Sequence, residues 1–73
     1  MSRFRAELTV TLSDGRAVTE YFNQAEMAYF TRERMMECLS RGKPVMLFDG
    51  ECIEVAAEHV RSVHVMLPNA IVA

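Results

Sequence analysis

From Phe4 to Leu12 apolar and polar residues alternate without a break. Phe4, Ala6, Leu8, Val10 and Leu12 fall on one side of a period of two, and Arg5, Glu7, Thr9 and Thr11 fall on the other. That period predicts a strand with one buried face and one wet face. The "SDGR" that follows places Asp-Gly between two apolar runs, a hairpin signal. "AVTEYF" then returns as a second strand, rich in β-branched and aromatic residues. Its register stays open. A two-residue turn pairs Leu8 with Tyr21, whereas a three-residue loop with a bulge shifts the pairing by one and buries Val18 and Phe22.

After Phe22 the period changes from two to 3.6. Asn23 followed by Glu26 forms an approximate capping box, which predicts a helix to about Ser40 or Arg41. Gly42 suits the left-handed position just past its end. Met27, Ala28, Thr31, Met35, Cys38 and Leu39 share one face of such a helix and are the expected core stripe, with Phe30 at its flank. Tyr29 and Met36, seven residues apart, lie together away from that stripe.

"KPVMLF", "DG" and "ECIEV" repeat the hairpin pattern. With a two-residue turn, Phe48 pairs with Glu51, Leu47 with Cys52 and Met46 with Ile53. A short break at "AAEH" leads to "VRSVHVML", expected as a third strand beside this hairpin, and Pro68 ends regular pairing. The expected fold is α+β: a two-layer ββαβββ arrangement with one helix packed on a small, mainly antiparallel sheet. Residues 1–67 form a single domain in this reading, and residues 68–73 form a short apolar tail.

The second hairpin is the anomaly. In the two-residue register Met46, Phe48, Ile53 and Val55 line one face, while Val45, Leu47 and Cys52 line the other with Glu54 as its one charge. One helix can cover only one of two apolar faces, and an antiparallel face that met water would alternate with polar residues. Val45, Leu47 and Cys52, together with the Tyr29–Met36 pair, are therefore the expected interaction surface. A homo-oligomer, most simply a symmetric dimer, is expected to cover it, and another protein could do so as well.

Composition narrows the remaining classes. Seventy-three residues bury a small core, and 51% hydrophobic against 25% charged content marks a folding chain. A formal charge of −2 offers no global attraction for nucleic acid or an anionic membrane, and no apolar run is long enough to cross a bilayer. Arg3, Arg5 and Arg61 around the sheet are the residues an alternative nucleic-acid-binding reading would use. Two cysteines are too few for a disulfide framework, so reduced thiols and a cytoplasmic location are expected.

Catalytic and metal chemistry find little support. Cys38 and Cys52 are fourteen apart in sequence and His59 and His64 five apart, unlike the close ligand pairs of zinc sites. Cys52 and His64 could meet across neighbouring strands, but Glu51 and Glu54 flank Cys52 and disfavour its thiolate. The residues identify no family. The expectation is a non-enzymatic, cofactor-free, self-associating protein-interaction module.

Overall fold

The computed structural model describes residues 6–67. Strands β1 (Ala6–Leu12) and β2 (Ala17–Phe22) precede helix α1 (Ala25–Ser40). Strands β3 (Val45–Phe48) and β4 (Cys52–Val55) follow, and a short 3₁₀ turn (Ala57–His59) leads into β5 (Val60–Met66). The α+β order β-β-α-β-β-β is the expected one. The strands form two antiparallel units, a three-stranded sheet in the order β2-β1-β5 and the separate hairpin β3-β4, so the last strand lies against β1 and not beside the second hairpin as expected.

The first hairpin takes the three-residue option. Leu12 donates its amide to the Arg16 carbonyl at 2.8 Å, enclosing Ser13, Asp14 and Gly15, and Leu8 stands opposite Glu20. Gly15 carries φ of 95°, a left-handed conformation that glycine adopts without steric cost. This register turns Val18 into the core opposite Val10. On the far side of β1, Val63 stands opposite Val10 as well, and Arg61 is the extra residue of a bulge between the Thr11–Ser62 and Leu12–Val60 pairs.

The second hairpin also takes a three-residue loop, and here that departs from the expected two-residue turn. Phe48 stands opposite Cys52 and Leu47 opposite Ile53, so Asp49, Gly50 and Glu51 form a three-residue loop. One residue of shift exchanges faces, because strand side chains alternate. Val45, Leu47, Ile53 and Val55 now share the inner face, while Met46, Phe48, Cys52 and Glu54 share the outer one. The cause is burial: only this register sends four aliphatic side chains inward while leaving the carboxylate of Glu54 in water.

Helix α1 begins one residue later than its capping box implies. Gln24 is the N-cap and its side chain makes no capping bond. The other end follows the expected chemistry. Lys43 donates to the Cys38 carbonyl at 2.8 Å and Gly42 to that of Leu39 at 3.0 Å, a Schellman closure with Gly42 at φ of 71°. Ala28 and Met35 are buried, with Cys38 and Leu39 half-buried beside the core, but Met27 is exposed and does not belong to the stripe. A single core results, joining Leu8, Val10, Leu12, Val18 and Val63 of the sheet to Met35 of the helix and to Val45 and Leu47 of the hairpin.

Candidate interaction surface

The three-residue loop after Phe48 relocates the open face of the second hairpin. Val45 and Leu47, expected there, are core residues, and Leu47 is only 1% exposed. Cys52 stands outside as expected. Its neighbours on that face are Phe48 and Met46, 61% and 54% exposed. Both side chains lie on β3, two residues apart and pointing the same way.

Helix α1 continues this surface. Its last turns run beside the start of β3, and between them lies an apolar groove of about 250 Å³ lined by Phe30, Thr31, Met35, Cys38, Pro44 and Met46, with Arg34 on its helical wall. Phe30 is 57% exposed, and the Arg34 guanidinium lies 5.8 Å from its ring centre, a cation–π contact that keeps the charge beside the groove. A continuous strip therefore runs from Phe30 and Arg34, across the groove, to Met46 and Phe48, and on to Cys52 and Glu54.

Tyr29 and Met36 are exposed, as their helical positions imply, but they belong to a different surface. Arg32 lies between them along the helix and donates from Nε to the Val63 carbonyl at 3.2 Å, so that flank is turned toward β5. At 3.6 residues per turn, Phe30, Arg34 and Cys38 occupy the opposite flank, toward β3. The two apolar patches that the sequence suggested as one surface are thus separated by the width of the helix.

The residues of the alternative readings are scattered. Arg3 and Arg5 lie outside the described residues, as does the 68–73 tail, and Arg61 is exposed on its bulge. Among the other arginines, Arg16 pairs with Asp14 at 2.9 Å and Arg41 with Glu37 at 3.3 Å. Cys52 belongs to the hairpin, whereas His64 lies on the outer face of the three-stranded sheet opposite Thr9, so the two do not form a pair. His59 closes the 3₁₀ turn, its carbonyl accepting the Ser13 amide at 2.9 Å. It borders a cleft of about 460 Å³ of mixed lining, with Leu12, Ser13, Asp14, Arg16, Glu54 and Val55. No group of three potential metal ligands is assembled among the described residues.

The carboxylate of Asp14 is held below its usual range, chiefly by the backbone amide of Arg16, which donates to it at 2.9 Å, and also by the Arg16 side chain. This is loop chemistry, satisfying a turn through a local side-chain bond. No described helix is long and apolar enough to cross a membrane. Comparison with protein-family models, with curated proteins and with solved structures finds no match.

Sequence reasoning missed two groove residues, Phe30, set at the flank of the core stripe, and Met46, set on the opposite face of the hairpin. A usable signal was present. Phe30 and Arg34 are four apart, which places a cation beside an aromatic on one helical flank, and Glu54 is the one charge in β4, which fixes the face that must look outward.

Proposed function

We propose that this chain is a non-enzymatic protein-interaction module that self-associates in the cytoplasm. The observation that carries the reading is the strip of Phe30, Met46 and Phe48, three large exposed apolar side chains, of which Phe30 and Met46 border one groove and Phe48 follows Met46 on the outer face of β3. Isolated apolar side chains on a surface need no explanation, but a contiguous patch of aromatic and methionine residues has the composition of the buried centre of protein–protein interfaces. The dispersed arginines and the −2 net charge favour a protein partner over nucleic acid.

The test is solution mass by light scattering during gel filtration, at low and high protein concentration, for the wild type and for Phe48→Glu. The expected result is a wild-type dimer or larger species and, for Phe48→Glu, a smaller species with an unchanged circular dichroism spectrum. A wild type that stays monomeric throughout the range removes self-association from the reading.

A further inference from the structure

We propose that two copies of this chain join edge to edge along β5, merging their three-stranded sheets into one and laying their α1 helices antiparallel above it. This contact lies on the flank of α1 opposite the strip. It shares with the reading above only the claim that the chain self-associates.

The strand supplies an open edge. In the order β2-β1-β5, the last strand ends its sheet, and it is seven residues long. The first hairpin shows which of its main-chain groups are free. Leu12 donates to the Arg16 carbonyl, so Leu12, Val10 and Leu8 turn their backbone groups toward β2, and Thr9 and Thr11 turn theirs toward β5. Their partners there are His64 and Ser62, which leaves the amides and carbonyls of Val63 and Val65 pointing away from the sheet. The Val63 carbonyl accepts Arg32 Nε at 3.2 Å and keeps a second lone pair. An edge of this kind is a template for another strand.

The helix selects a second copy as the source of that strand. Tyr29 and Met36 are exposed apolar residues on the flank of α1 turned toward β5, and Arg32 and Glu33 stand between them. Glu33 makes no ion pair among the described residues. A two-fold axis passing between Arg32 and Glu33 sets Tyr29 against Met36 of the other copy and Arg32 against Glu33 of the other copy, each contact occurring twice. The strands require the same axis. Arg32 reaches the carbonyl that joins Val63 to His64, so the axis passes His64 and pairs Val63 with Val65 of the other copy, the residues whose backbone groups are free. The axis runs along the sheet normal, within the plane of contact. It reverses strand and helix directions and keeps sheet beside sheet and helix beside helix. Closed pairing of one surface with itself is the commonest symmetric assembly, and the opposed charges fix its register.

Phe48→Glu, which disables the strip, is the background for the test, so that any dimer left is this one. Its mass is followed by light scattering across concentration at about pH 8, where imidazole is neutral and the two copies of His64 can stand side by side. A dimer is expected. Glu33→Arg and Arg32→Glu each gather like charges at the axis and are expected to weaken it about tenfold or more. Mixed in equal amounts, these two variants re-form both opposed pairs and are expected to give a heterodimer within about threefold of the parent affinity. Because Arg32 also holds Val63, Glu33→Arg carries a second readout. The amides of Val63 and Val65 are expected to exchange slowly in the parent dimer and at least about tenfold faster in Glu33→Arg, with an unchanged circular dichroism spectrum. A Phe48→Glu chain that is monomeric at every concentration overturns this contact and leaves the strip standing. A dimer indifferent to Glu33→Arg, one whose Val63 and Val65 amides exchange freely, or a mixture of folded variants that forms no heterodimer also overturns it. A wild type no heavier than the Phe48→Glu dimer withdraws the strip and supports this contact.

Discussion

Leu47 and Phe48 are adjacent in sequence and opposite in consequence. The first is enclosed with Leu8, Val10 and Met35, and the second projects from the same strand into water. Glutamate at position 47 loses the burial of a leucine and places a carboxylate in the core, together at least about 3 kcal/mol. At roughly 0.05–0.15 kcal/mol per residue, a chain of this length holds only about 4–11 kcal/mol in total. Leu47→Glu is therefore expected to lose a large share of its stability, its urea midpoint falling steeply at every protein concentration, whereas Phe48→Glu keeps its midpoint and its circular dichroism spectrum. Asp14 offers a gentler measurement. Its folded pKa lies below the ordinary value of 3.8, so the turn contact it makes with Arg16 contributes fully at neutral pH. That contribution fades as the pH falls through the lowered folded value. An NMR titration should show the Asp14 carboxyl group titrating below 3.8, and the stability difference between wild type and Asp14→Asn should vanish in acid. The group is fully exposed, and the effect is accordingly small.

Loop length decides what each strand of a hairpin presents, and two deletions one residue apart make the point. Removing Glu51 shortens the second loop to Asp49-Gly50 yet leaves Phe48 opposite Cys52, so the inner face keeps Val45, Leu47, Ile53 and Val55. Removing Cys52 keeps the loop but sets Phe48 against Ile53, turning Glu54 inward and both aliphatics outward. In urea titrations the first variant is expected to stay within about 1 kcal/mol of the wild type and the second to lose about 2–4 kcal/mol. The elements themselves were legible in the sequence. Alternation marked β1, the shift to a 3.6 period marked α1, and Gly42 marked its end, because these signals are local. Register was not legible from Asp-Gly alone, since that dipeptide fits loops of two and of three residues. The missing term was the non-local burial of Val18 in one hairpin and of Ile53 and Val55 in the other. The same shift explains the site: Cys52 was placed outside correctly, while Val45 and Leu47 were exchanged for Met46 and Phe48. The separation of Tyr29–Met36 from the hairpin depended on Arg32 reaching the Val63 carbonyl, a contact between elements that a one-dimensional pattern does not carry.

At the scale of the molecule, the sheet and the hairpin share one core but no backbone ladder: β2 pairs only with β1 and β3 only with β4 among the described residues. Where the two approach, Glu20 lies on the core-facing side of β2 by alternation, opposite Leu8, and one of its carboxylate oxygens accepts the amide of Phe48 at 3.3 Å. Glu20→Val is expected to remain folded but to form growing, open-ended aggregates in time-resolved light scattering at concentrations where the wild type gives a finite species. A charge at this seam occupies a backbone donor that a foreign strand would otherwise find free and discourages an apolar strand from sliding in. At this seam the chain's own carboxylate holds the Phe48 amide, so a foreign strand arriving there finds one donor fewer and a charge in its path.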